Sequence, residues 1–107
     1  MKVELSIKLR LDLMGIFPAK SNFIERQIAV DIRKKLDVSP DERAAVGMKV
    51  QGQNIVWDIS KEKPFEVEFS STEIEYMKTC VDVLDKERSI TDANFEVCKM
   101  VRGLRFE

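Results

Sequence analysis

From Val3 to Leu13 apolar and polar residues alternate without a break: Val3, Leu5, Ile7, Leu9, Leu11 and Leu13 against Glu4, Ser6, Lys8, Arg10 and Asp12. A period of two marks a half-buried β-strand. The same residues also fit a helix, because Leu5, Leu9, Leu13 and Ile16 share one helical face. Ser6 can cap its start and Gly15 can end it. Strand or helix decides how the chain is built, while both leave it in the α+β class.

The rest of the chain punctuates itself more plainly. After Pro18, Asn22 and Glu25 have capping-box spacing, and Ile24, Ile28, Ile32 and Leu36 recur every fourth residue with basic residues in the last turns, which predicts a helix over 23–36. Ser39-Pro40-Asp41-Glu42 caps a short helix over about 40–46, which Gly47 ends. Met48, Val50, Ile55 and Val56 flank the turn run Gln51-Gly52-Gln53-Asn54 and read as a hairpin. Trp57 closes its second strand. Phe65, Val67 and Phe69 alternate with Glu66 and Glu68 as a one-sided strand. A third capping box, Ser70 and Glu73, starts a helix over about 72–87 whose apolar face is Ile74, Met77, Val81 and Leu84. Thr91 or Asp92 opens a last helix over about 92–103 carrying Phe95, Cys98 and Val101. The predicted core is Leu5, Leu9, Leu13, Ile24, Ile28, Ile32, Leu36, Ile55, Trp57, Phe65, Val67, Phe69, Ile74, Met77, Val81, Leu84, Phe95 and Val101.

A chain of 107 residues holds one core. The expectation is a single domain, 1–107. With 44% apolar and 35% charged residues it should fold, and no apolar run approaches the roughly 20 residues that cross a bilayer. The charges at every second position near the start do not match a signal peptide, so an intracellular protein is expected. Cys80 and Cys98 fall on helices and read as small buried apolar side chains rather than a disulfide or zinc pair. Net charge is −1, with residues 1–37 mildly basic (8 basic, 5 acidic) and residues 38–73 acidic (4 and 7).

Histidine is absent, which removes the commonest general base and the commonest neutral metal ligand. The remaining acid pairs, Asp82 with Asp85 and Glu66 with Glu68, fall on wet faces where nothing shifts a pKa. The four glycines are isolated and form no phosphate loop. No catalytic, cofactor or metal residue is assigned, and no enzyme activity is expected. The segment 6–58 has the part order of a winged helix, which makes a small DNA-binding regulator the alternative. Two acids, Asp41 and Glu42, open its reading helix, and the hairpin tip lacks charge. Both disfavour nucleic acid. A protein-binding role remains, with Tyr76, Phe106 and Phe17 as candidate contact aromatics.

Several stretches resemble small uncharacterised proteins of tailed bacteriophages and prophages. They are Leu5-Ser6-Ile7-Lys8 with Arg10, Gly15-Ile16-Phe17-Pro18, Asn22-Phe23-Ile24, Ile32-Arg33-Lys34, Ser39 with Asp41-Glu42, Val56-Trp57-Asp58, and Leu84-Asp85-Lys86-Glu87 with Ile90-Thr91. The resemblance implies a helix for the first segment, although such proteins carry glutamate where this chain has Leu9, a partner that would complete a capping box with Ser6. With the Gly15–Pro18 stop it selects a helix over 6–14. It also implies a phage-derived protein in the host bacterial cytoplasm. The expected fold is α+β: helices over about 6–14, 23–36, 40–46, 72–87 and 92–103 packed on a small antiparallel β-meander over about 48–69. The expected function is that of a non-enzymatic accessory protein, without cofactor. It would act through an unidentified protein partner or a second copy of itself.

Overall fold

The alternating segment divides at Ser6. In the computed structural model, which describes residues 1–105, strand β1 (Lys2–Glu4) gives way to helix α1 (Ile7–Met14), and the Ser6 hydroxyl accepts from the Leu9 amide at 3.1 Å as N-cap. Going round α1 at about 100° per residue explains why both periods fit. Leu9 and Leu13 face one apolar cluster, Ile7 and Leu11 face another, and Lys8 with Asp12 forms an ion pair on the wet strip. A helix buried on two sides has a broken apolar pattern. Arg10, polar in the alternation, is fully buried between those sides.

The remaining elements are α2 (Phe23–Leu36), α3 (Pro40–Val46), β2 (Lys49–Gln51), β3 (Asn54–Val56), a 3₁₀ turn (Ile59–Lys61), β4 (Glu66–Glu68), α4 (Ser71–Lys86) and α5 (Phe95–Gly103). The α+β class and all five helices are as expected. The strands are arranged differently from a meander. β2 and β3 form a hairpin by themselves, while β4 pairs antiparallel with β1, Val3 opposite Val67. The long polar connection after Trp57 carries the chain away from the hairpin, and the first residues supply β4 with its partner. Helix α5 starts one turn late, at Phe95, because Thr91 and Asn94 bond each other's backbone amides and close the segment as a turn.

Two apolar clusters result. The main core joins β1, α1, α2, β4, α4 and α5 around Leu13, Ile32, Leu36, Met77, Val81 and Val101, all fully buried. The second is a small lobe of Ile7, Val38 and Val46, bordered by Leu11, Met48 and Trp57, beneath α3 and the hairpin. The two meet at Arg10. Its two terminal nitrogens donate to both carboxylate oxygens of Glu42 on α3, and its guanidinium lies 4.0 Å from the Phe65 ring centroid. Gly47 ends α3 with φ +63°, letting Met48 donate back to the Arg43 carbonyl, a reversal that launches β2.

Three predicted core residues are on the surface: Ile24, Ile55 and Phe95. Ile24 has a geometric cause. Four residues advance a helix by about 400°, so an i, i+4 row drifts about 40° per step round the axis. α2 buries Ala29, Ile32 and Leu36, and by Ile24 the row has swung out. Phe95 is exposed because the late start of α5 puts Val97, Cys98 and Val101 inward instead. Leu9, Ile28, Trp57, Phe65 and Leu84 are half-buried at the margins of the clusters.

Candidate protein-docking surface

Two of the aromatics expected at a partner surface are inside. Tyr76 is 8% exposed and Phe17 7%, with ring centroids 5.8 Å apart. α4 packs against both α2 and α5, so its buried arc is wider than the Ile74–Leu84 row and takes in Tyr76. The chain after Gly15 folds Ile16 and Phe17 into the main core, and the Arg33 guanidinium lies over Phe17 at 5.7 Å. Burial pushes the Tyr76 hydroxyl up to about 12, helped by the Cys80 thiol one turn on. Phe106 lies outside the described residues.

The thiols and acid pairs take up structural positions. Burial pushes both Cys80 and Cys98 up, away from the reactive thiolate. Asp82 and Asp85 are exposed and both face Arg102 of α5, at 3.6 and 2.9 Å. Glu66 and Glu68 point outward from β4. Among the described residues no three His, Cys, Asp or Glu side chains cluster as a metal site would. No helix of those residues is long and apolar enough to cross a membrane.

Apolar side chains stand in solvent at several places, Phe23, Ile24, Ile59 and Phe95 among them, and on the hairpin two such side chains sit side by side. Val50 and Ile55 are directly opposed across the ladder and so share one face. Val50 is 74% exposed and Ile55 45%. Gly52 begins the turn at φ +62° with Gln53 after it at negative φ, the pattern of a type II′ turn, which fixes that register. Their face borders a cleft of about 190 Å³ lined also by Leu11, Met14, Val38 and Met48, with Asp37, Arg43 and Lys49 at its rim. Asp37 and Arg43 approach only to 3.6 Å and both are exposed. Arg43 also donates to the Val38 carbonyl at 3.0 Å, which holds that side of the rim. A second exposed apolar pair, Phe23 and Ile24, marks the first turn of α2.

Residue-level pattern reading missed this surface because Val50 and Ile55 look like any inward strand pair. The available signal was the shortness of the hairpin: three-residue strands with polar Lys49, Gln51 and Asn54 on the other side have little to bury them. No protein-family model, no curated protein and no solved structure matches the chain.

Proposed function

We propose that this chain is a non-enzymatic protein-binding module, a phage-derived accessory protein of the bacterial cytoplasm, and that it binds through the β2–β3 hairpin and the cleft beside it. The observation that carries the reading is the opposed pair Val50 and Ile55, held out in water next to an apolar cleft. Burying such a pair stabilises a complex by roughly 25 cal/mol per Å² of apolar surface, before the cost of association. The charged Asp37 and Arg43, which line the same cleft, would set orientation, as polar residues around interfaces do. The phage origin and location rest on the sequence resemblance. The non-enzymatic part is supported by thiols that burial keeps protonated and by aspartates engaged with Arg102.

The DNA-binding alternative requires α3 to lie in the major groove with α2 packed against it. Here α3 packs on the 3₁₀ turn, and α2 packs on α1, α4 and β4. Its first turn carries Asp41 and Glu42, which repel phosphate, and Glu42 is already occupied by Arg10. Capture from bacterial lysate with the native chain and a Val50→Glu variant in parallel tests the choice. Proteins retained by the native chain and lost by the variant support the docking reading. No difference, together with salt-sensitive binding of the native chain to duplex DNA, overturns it in favour of a regulator.

A further inference from the structure

The β1–β4 sheet has an open edge. The Leu5 amide donates to the Phe65 carbonyl and the Phe69 amide to the Met1 carbonyl, each at 2.9 Å, with Val3 opposite Val67 between them. These are the bonded positions of an antiparallel ladder, so the residues that alternate with them, Glu66 and Glu68, turn their amides and carbonyls away from β1. On that side only the Glu68 carbonyl has a partner among the described residues, the Lys35 ammonium at 2.8 Å. We propose that this edge takes an extended segment of another protein as a third strand, with lysine or arginine opposite Glu66 and Glu68 and an apolar residue between them. The site is separate from the hairpin and does not rest on it.

The backbone selects a strand. Free amides and carbonyls on a sheet edge repeat every second residue, and an extended chain offers its own at the same repeat. A helix does not, because its backbone groups are already bonded to one another. There is room beside the edge: a cleft of about 290 Å³ lies along β4, bounded by Lys35, Phe65, Glu66, Val67 and Glu68. The added residue opposite Val67 points to the core side of the sheet, where the half-buried Phe65 also lines the cleft. Lys35 can give up the Glu68 carbonyl and keep its carboxylate partner, Glu73, at 2.6 Å.

Charge selects a basic one. The wet face of the sheet carries Lys2, Glu4, Glu66 and Glu68, with Lys2 opposite Glu68 and Glu4 directly opposite Glu66. Like charges opposed across a ladder destabilise it. None of these three carboxylates has an ion pair among the described residues. A cation arriving on the open side of Glu66 offsets the repulsion from Glu4, and an acidic strand would add to it. Charged side chains along a free edge also keep copies of the same strand from pairing there, and this protection fails only against the opposite sign. Lys61 and Lys63 line a neighbouring cleft beyond Phe65, so the requirement for basic residues applies opposite Glu66 and Glu68 alone.

Titration of the full chain with a short blocked peptide of alternating lysine and valine, read by calorimetry and by amide hydrogen exchange, tests this. The peptide should bind and slow exchange at the Glu66 and Glu68 amides. The same peptide with its lysine amides N-methylated keeps the charge but cannot pair with the edge, and it should not bind. A peptide of alternating glutamate and valine should not bind either. Glu66→Lys combined with Glu68→Lys should keep the native circular dichroism and weaken the lysine peptide about tenfold or more. Val50→Glu should leave its binding unchanged. A lysine peptide that fails to bind overturns the proposal. So does equal binding by the methylated or the glutamate peptide, or binding that survives the double charge reversal. Loss of binding in Val50→Glu, or protection of hairpin amides in place of Glu66 and Glu68, moves the peptide to the hairpin and overturns the edge site.

Discussion

The main core and the hairpin lobe are built from the same kinds of residue with opposite results. In the main core Leu13, Ile32, Met77, Val81, Val97 and Val101 are fully buried, packed between four helices and a strand pair. In the lobe only Ile7, Val38 and Val46 are buried, while Val50, Ile55 and Ile59 face water. The lobe is held by single links: Arg10 to Glu42, the Asp58 amide to the Val46 carbonyl at 2.9 Å, and the Trp57 indole to Glu62 at 2.8 Å. What separates them is the number of covering layers. A helix between two others loses its whole apolar stripe to the interior, whereas a hairpin of three-residue strands that no other described element covers buries one side at most. Stability therefore resides in one region and the candidate interface in the other.

The largest effect should come from Ile32→Ala in the main core. Truncation there should cost about 2–5 kcal/mol in chemical denaturation, a large part of the roughly 5–15 kcal/mol of such a domain. Val50→Ala in the lobe should change stability by about 0.5 kcal/mol or less. Equal losses at the two sites would erase the contrast.

Glu42→Gln sharpens it at the seam. Losing the carboxylate leaves the fully buried Arg10 guanidinium uncompensated, at a cost of about 3 kcal/mol. Replacing both partners, Arg10→Met with Glu42→Leu, should recover most of that loss. If the double variant is no better than the single one, the pair holds the lobe on by geometry and not by charge balance.

The two regions carry separate optical reporters, since Trp57 and Tyr76 are the only residues of their kinds. Trp57 fluorescence should change at lower denaturant than circular dichroism, as the lobe opens locally before the core. Coincident transitions would make the molecule one cooperative unit. Tyr76 should ionise only near 12 instead of 10. Because its pKa is raised on folding, it stabilises the fold fully below pH about 10, and that contribution is lost as pH climbs toward the folded value.

The smallest effect concerns Glu73, which ties the β4–α4 corner to α2. Burial acts to raise its carboxyl, but hydrogen bonds from Lys35 at 2.6 Å and the Ser70 amide at 2.8 Å outweigh this and hold it below the ordinary range. A lowered acid stabilises the fold above its unfolded pKa, near 4.3, and that part is lost as pH falls through the folded value. Glu73→Gln should flatten the acid limb of the stability profile. An unchanged limb would place the pH sensitivity elsewhere.

Caps and breakers were legible because their physics is local. Asn22, Ser39 and Ser70 accept from the amides three residues on, as their spacing implies, and Gly47 takes the left-handed turn that ends α3. Local hydrogen bonds of this kind act whatever the rest of the chain does, so the starts of α2, α3 and α4 follow from sequence, whereas α5, whose Asn94 cap makes no side-chain bond, starts a turn later than expected. The candidate site was not legible in the same way. Tyr76 went inside because α2 and α5 flank its helix, and Val50 and Ile55 stayed outside because, among the described residues, no element covers their face. A residue's own side chain determines what it loses by exposure to water. Whether it is exposed depends on which segments, distant in sequence, come to lie over it, and only the tertiary structure decides that.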